Sequence, residues 1–204
     1  IIKNKNVIDI GCGEARYSKA LKKLGAKSVT CFDNGPRPKK LNKKFNYIEG
    51  SILNVKIKKK YDFIFCNGRL SHIKNWKKGL SEISKLLNKD GWLWLSLFGA
   101  GKHWNYVDKV RSKVNQQDRY NFEKALLLRD WEVNKIFFLI DLFFTRQRTY
   151  FTKKKIKNEL LKQGYKNIIF LKRGIKKDLN EKIFRDPRLK KIYGEGEIRL
   201  IAQK

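Results

Sequence analysis

The chain has 204 residues, 41% hydrophobic and 33% charged, with 13 Phe, 8 Tyr and 5 Trp, which excludes disorder, a collagen-like repeat or a disulfide-stapled mini-protein and suits one domain carrying an insertion. The 49 basic against 19 acidic residues give a formal charge of +30, a balance that points to nucleic acid, an anionic membrane surface or an acidic substrate. Most of the excess is Lys, spread along the whole chain beside abundant Asn and Ile as in the drift of an AT-rich genome, so charge alone selects no partner.

In chain order, short apolar runs alternate with helical patterns, the arrangement of βαβ units and a parallel sheet. Val7 to Ile10 reads as a first strand and Glu14 to Leu24 as a helix, with Tyr17, Ala20, Leu21 and Leu24 at helical spacing and Gly25 at its C-terminal cap. Ser28 to Phe32, Asn46 to Ile48 and Tyr61 to Cys66 read as strands two to four, and Trp76 to Leu87 as a helix. Lys89-Asp90-Gly91 predicts a turn into a fifth strand, Trp92 to Phe98, apolar enough to be buried on both faces. Lys102 to Arg148 shows helical periodicity instead (Val107, Val110, Val114; Phe122, Ala125, Leu126) and reads as a helical insertion. Thr152 then caps a helix running to Gln163, with Gly164 as its C-cap residue, followed by strands at Asn167 to Leu171 and Ile198 to Ala202. The expected fold is α/β: a doubly wound, mostly parallel seven-stranded sheet with an antiparallel last strand and a helical insertion after strand five. The expected division is an α/β half at 1–98, a helical insertion or lid at 99–150, and a C-terminal helix with the last strands at 151–204.

Cys12, Cys31 and Cys66 are odd in number and form no CxxC or Cys/His cluster, so neither a disulfide framework nor a metal site is indicated, and a reducing cytoplasm fits. The most apolar stretch, Ile136 to Phe144, is nine residues long and holds Asp141, too short to cross a bilayer, and no signal peptide is visible. The chain opens at Ile1 and has no Met, which leads us to expect that residues before Ile1, an N-terminal helix among them, have been lost.

The sharpest signal is V-I-D-I-G-C-G-E-A-R-Y-S, Val7 to Ser18, a strand ending in two glycines that opens into a helix. Glycines there let a ligand approach the backbone, and the helix start offers unpaired N–H groups. Asp33 stands twenty residues past Gly13 at the end of strand two, where a carboxylate can accept both hydroxyls of a ribose. The pattern G-x-G-x-x-G is not completed, because Arg16 stands three residues beyond Gly13, which argues against a dinucleotide.

On these residues the sequence resembles the Rossmann-like (class I) S-adenosylmethionine-dependent methyltransferases. The resemblance continues through C-F-D-N at Cys31 to Asn34, Y-D-F-I-F-C-N-G at Tyr61 to Gly68, L-S-H-I at Leu70 to Ile73 and L-L-N-K-D-G-W-L-W-L-S at Leu86 to Ser96. It implies S-adenosyl-L-methionine as cofactor, with Asp9, Gly11 and Gly13 around its amino-acid end, Asp33 on its ribose, Ser51 and Ile52 beside the adenine, and Asn67 and Gly68 near the reacting methyl. Many relatives have Asp where this chain has Ser51. The D/N-P-P-aromatic signature of amino-directed base methylation is absent, and L-S-H-I resembles enzymes acting on small molecules, quinones or sugars. The resemblance therefore implies methyl transfer to O or N of a small-molecule or saccharide-like acceptor; an RNA methyltransferase and a non-catalytic cofactor-binding relative are the alternatives.

His72 is a candidate general base near the methyl, with capping or packing as its other reading. Within Ile136 to Tyr150, a dense apolar patch adjoins Asp141, Arg146, Arg148 and Tyr150. One reading is a lid whose arginines bind a carboxylate or phosphate of the acceptor, with Tyr150 beside them; the other is a docked helix with solvated arginines. Asp9 has a second reading as a bond acceptor for its own turn, Asp62 reads as a fold residue, and Cys12 and Cys66 as buried small hydrophobes. Near the C-terminus, Glu195 and Glu197 are candidates to reach an acceptor hydroxyl, and their flanking glycines read as a turn before an edge strand.

Overall fold

A computed structural model describes the chain except residues 40, 44, 146, 173–181 and 184, and the side chain at 134. The elements are β1 (Asn6–Ile10), α1 (Arg16–Lys23), β2 (Ser28–Asp33), β3 (Asn46–Glu49), β4 (Tyr61–Asn67), α2 (Trp76–Ser84), β5 (Leu87–Phe98), α3 (His103–Arg111), α4 (Arg119–Leu127), α5 (Val133–Phe144), α6 (Lys153–Lys162), β6 (Lys166–Phe170), α7 (Pro187–Tyr193) and β7 (Glu197–Gln203). One seven-stranded sheet runs in the order β3-β2-β1-β4-β5-β7-β6. Strands β1 to β5 pair in parallel and β7 runs antiparallel to both its neighbours. The strand order reverses between β2-β1 and β4, the place where open α/β sheets bind their ligands beyond the carboxyl ends.

Side-chain alternation assigns the two faces of the sheet. Ile8, Ile10, Ile64, Leu93 and Leu95 pack with Trp76, Leu80 and Ile83 of α2 and with Ile156 and Leu160 of α6. Val7, Val29, Phe63 and Phe65 turn the other way, toward Leu21 of α1 and the half-buried Trp92 and Trp94. Trp94 stacks on Phe65 with ring centroids 4.3 Å apart, and Tyr17 leans on the same Phe65 at 5.3 Å.

Several expected boundaries move for local reasons. Helix α1 starts at Arg16 because Ala15 takes a left-handed backbone, φ 58°, and its buried face is Ser18 and Leu21, while Leu24 is exposed. Helix α2 stops at Ser84, whose hydroxyl bonds back to the Leu80 carbonyl at 2.6 Å. Strand β5 begins at Leu87 and carries Lys89-Asp90-Gly91 within it; the Asp90 backbone N–H and Gly91 carbonyl pair with Lys204, and the ladder to β4 shifts register there, so the expected turn is an irregularity inside a strand. Helix α6 matches expectation, with Thr152 Oγ1 accepting from the Lys155 N–H at 3.1 Å and Gly164 at φ 80° ending it.

The C-terminal glycines have a different cause from the expected turn before an edge strand, because β7 lies between β5 and β6 and the edge is β6. The Gly194 to Gly196 segment crosses the segment after β5 at backbone contact: a Cβ on Gly194 would lie 2.1 Å from the Ala100 carbonyl oxygen, and one on Gly99 2.1 Å from that of Gly196. The insertion forms its own small core, where Ile136, Ile140 and Phe144 of α5 bury against Val114, Phe122 and Leu126. Among the described residues no helix is long and apolar enough to cross a membrane.

Candidate functional site

The β1–α1 turn is shaped by backbone conformation. Gly11 and Gly13 have φ of 76° and 48°, the left-handed region where a side chain is strained. The Gly11 and Cys12 N–H groups both donate to the Phe32 carbonyl, which ties the turn to the end of β2. Asp33, on the last residue of β2, completes that tie: Oδ2 accepts from the Gly13 N–H at 2.9 Å and Oδ1 from the Gly35 N–H at 3.2 Å. Each oxygen keeps a further lone pair for a ligand hydroxyl. The structure thus brings Gly11, Gly13 and Asp33 together. Ile52 is buried on the same side, bordering a crevice too narrow for a water molecule with Gly11, Asp33, Gly50 and Arg69. Ser51 is exposed, and its hydroxyl accepts from the Leu53 N–H.

Asp9 lies one layer below. It is 1% exposed, and its Oδ2 accepts from the Ser18 hydroxyl at 2.6 Å. Burial pushes its carboxyl up to about 6, with Ser18 pulling the other way and Asp33 adding to the rise. Asp9 therefore anchors α1 through Ser18. Asp62 accepts from the Asn6 N–H and the Asn88 amide, a fold role as expected. Cys12 and Cys66 are buried, and burial pushes the Cys66 thiol up to about 12, out of the range of a nucleophile at neutral pH.

Arg69 is the residue that sequence reasoning passed over. Its aliphatic chain lies over Gly11, within 2.8 to 3.0 Å of where a Cβ would stand, and its Nη2 donates to Asn34 Oδ1 at 2.7 Å.

At the carboxyl end of β4, Gly68 turns at φ 73° into a short 3-10 segment, Arg69–His72. That segment is sewn to two neighbours: Ser71 Oγ accepts from the Phe98 N–H at 2.9 Å, and the Ser71 carbonyl from the Thr149 N–H at 2.6 Å. Phe98 ends β5, two residues beyond Ser96, which pairs with Asn67. The chain after α5 is thereby brought beside the β4 and β5 ends, and His72 meets Phe98 edge-on with centroids 5.4 Å apart. Burial lowers the His72 pKa, against the pull of Asp141 and the Gln147 backbone, so its ring is neutral near pH 7.

The Arg148 side chain is only 2% exposed, so for Arg148 the reading as a solvated arginine is overturned. Its guanidinium carbon stands 4.7 Å from the Phe98 ring centre and 5.4 Å from that of Trp104, and Nη2 donates to Asp141 Oδ2 at 2.7 Å. Trp104 stacks on Tyr150 at 4.8 Å, and Tyr150 donates its hydroxyl to Asp108 Oδ1 at 2.8 Å. That same oxygen accepts from Arg111 Nη1 at 2.6 Å, while Arg111 Nε donates to the Leu142 carbonyl. Burial and the Asp108 carboxylate push the Tyr150 hydroxyl up to about 12. Arg111 and Asp108 were missed in the sequence; their only signal is a three-residue spacing on an amphipathic helix. Arg146 falls outside the described residues. Glu197 does not face this site freely: it accepts from the Ser96 hydroxyl at 2.6 Å and from Arg199. Among the described residues no group of His, Cys, Asp or Glu could hold a metal ion.

A profile of the methyltransferase-domain family matches residues 1–168. The chain belongs to that family, and its fold and glycine turn define a class I, S-adenosylmethionine-dependent methyltransferase. Among curated relatives, the mitochondrial ubiquinone biosynthesis O-methyltransferases of Schizosaccharomyces pombe and Dictyostelium discoideum are 31% identical over 103 residues and 26% over 110. Each match covers 45% of this chain, and only 37% and 34% of those proteins. Among solved structures, Burkholderia thailandensis 1,6-didemethyltoxoflavin-N1-methyltransferase with bound S-adenosylhomocysteine superposes with a TM-score of 0.59 at 15% identity, over 99% of this chain and 72% of that one. Human N-acetylserotonin methyltransferase in complex with S-adenosylmethionine does so with a TM-score of 0.57 at 12% identity, over 98% of this chain and 47% of that one.

Proposed function

We propose that the protein transfers a methyl group from S-adenosylmethionine to an oxygen or nitrogen of a small-molecule acceptor. The observation that carries this reading is the placing of two polar clusters on one sheet edge: the glycine turn with Asp33 at β1–β2, and the His72–Phe98–Arg148 group at the ends of β4 and β5. Relatives named as O-methyltransferases support an oxygen acceptor.

The residues present fit the cofactor. A Cβ at Gly13 or Gly68 would meet nothing within 4 Å, so both flanks of the cleft are open to a ligand. Asp33 has lone pairs for the ribose hydroxyls, Ile52 gives the adenine an apolar wall, and the Gly11 and Gly13 backbone lets the amino-acid end approach, with Asp9 beneath. Arg69 would have to move: its long side chain lies over Gly11, held by Asn34, and swings aside when the cofactor enters. When bound, the cofactor supplies an electrophilic methyl on a sulfonium that departs as a neutral thioether, so the protein's task is mainly alignment. Asn67 and Gly68 face the reacting end. Neutral His72 accepts the proton that an acceptor hydroxyl gives up. Phe98 and Trp104 wall the acceptor side and keep water from the reacting atoms.

The odd number of cysteines and the lack of a CxxC spacing support a reducing compartment such as the cytoplasm. We expect residues 1–98 to bind the cofactor and 99–150 to cover the acceptor. The experiment is a screen for S-adenosylhomocysteine release with phenolic, amine and saccharide acceptors, with total RNA run in parallel. Turnover with a small molecule and not with RNA supports the reading; turnover with RNA alone overturns it.

A further inference from the structure

The insertion carries two buried guanidinium groups whose hydrogen-bonding capacity is only partly used. Arg148 gives Nη2 to Asp141, yet its Nε is buried with no partner. Arg111 gives Nη1 to Asp108 and Nε to Leu142, yet its Nη2 is buried with no partner. The two side chains are 2% and 11% exposed, and both line one open cleft of about 390 Å³ together with Asp108, Ser112, Gln116 and Gln147. Each guanidinium already has its own carboxylate on another N–H, and that carboxylate carries a second donor as well: Asp108 takes Arg111 Nη1 and the Tyr150 hydroxyl, and Asp141 takes Arg148 Nη2 and the Thr145 hydroxyl. Buried polar groups are ordinarily satisfied, and two arginines of one cleft that each retain an unmet N–H beside their carboxylate can take a further acceptor from outside.

We infer that Arg111 Nη2 and Arg148 Nε form an oxyanion subsite that holds a carboxylate or phosphate group of the acceptor. Guanidinium N–H donors match the paired oxygens of either group. The subsite adjoins the reacting edge, because Arg148 rests on Phe98 and Phe98 touches His72; an acceptor anchored there by its anion presents its hydroxyl or amine toward His72. Phe98 and Trp104 hold the Arg148 guanidinium from its face, so it keeps its aim before the ligand arrives. The inference rests on the methyltransferase reading for the identity of the ligand as acceptor, and on the geometry alone for the subsite.

The test is calorimetric titration of the purified chain with benzoate and, separately, inorganic phosphate, at about 0.15 M salt to suppress attraction by net charge alone. The wild type is expected to saturate at one anion per chain, and whichever probe binds tells carboxylate from phosphate. Arg111→Lys and Arg148→Lys keep the charge but lose the planar donor array, and each is expected to weaken binding at least tenfold. Gln147→Glu, at an exposed position on the cleft rim, places a negative charge at the mouth without touching the buried pairs and is expected to weaken binding similarly should the lysine variants fail to fold. Non-saturating binding, or binding equal in wild type and folded variants, overturns the subsite. Titration with S-adenosylhomocysteine separates the two readings: its loss from the wild type removes the methyltransferase reading, whereas unchanged cofactor affinity with unchanged anion binding in the variants removes only the subsite.

Discussion

The two sides of the site are built by different means. On the β1–β2 side the shape comes from backbone: glycines at positive φ, N–H groups donating to the Phe32 carbonyl, and a single carboxylate holding the turn. On the insertion side it comes from long charged side chains drawn out of water, with Arg148 between Asp141 and two aromatic rings and Arg111 against Asp108. A side built of backbone tolerates loss of its peripheral side chains, whereas a network of buried charge does not tolerate loss of one partner. On the proposed function the contrast matches the two ligands: the glycine-turn side would serve the cofactor and the insertion side would select the acceptor.

Removing Asp141 tests the contrast hardest. Asp141→Ala leaves the Arg148 guanidinium buried without its counter-charge and is expected to lower stability by about 3–5 kcal/mol, read from the urea midpoint; a change below 1 kcal/mol, on the scale of an exposed pair, would show the network to be dispensable. His72→Ala comes next: kcat is expected to fall about 100-fold with S-adenosylhomocysteine affinity unchanged, and an unchanged rate would make His72 a packing residue against Phe98.

Asp9 sharpens the comparison through pH. Its folded-state pKa, about 6, lies above the ordinary 3.8, so its protonated form favours folding. Its contribution is complete below about pH 4 and is lost as pH rises through about 6. Relative to wild type, Asp9→Asn should therefore gain on the order of 2 kcal/mol between pH 4 and 7, seen in denaturant melts at both values; a constant difference would contradict the burial of an ionisable carboxyl there. Smallest is Arg69→Ala, expected to shift cofactor affinity by less than about threefold, because a flexible arm has only to move aside.

The same contrast explains what was legible in the sequence. The strand-turn-helix at Val7 to Ser18 and Asp33 at the end of β2 carry a spacing that survives in one dimension, because the site there is local to two consecutive strands. Thr152 and Gly164 were legible because caps act within one turn of a helix. The Asp90 irregularity was not, since Lys204 at the far end of the chain decides whether Lys89-Asp90-Gly91 turns or continues as strand. The place of β7 inside the sheet, and the meeting of Gly194 with Ala100, likewise depend on long-range pairing. Arg148 was noticed for its charge but the sequence could not choose between its two readings, because its partners Phe98 and Trp104 lie some fifty residues away in the chain. Arg111 carried no signal beyond its helix.

The central claim is that the Gly11–Gly13 turn and Asp33 form the S-adenosylmethionine site. It is tested most directly by calorimetric titration of the wild type and Asp33→Ala with S-adenosylmethionine and S-adenosylhomocysteine, the fold of the variant being checked by thermal melting. The account predicts micromolar binding to the wild type that the folded variant loses. Equal affinity in both proteins, or no binding by the wild type, would contradict it.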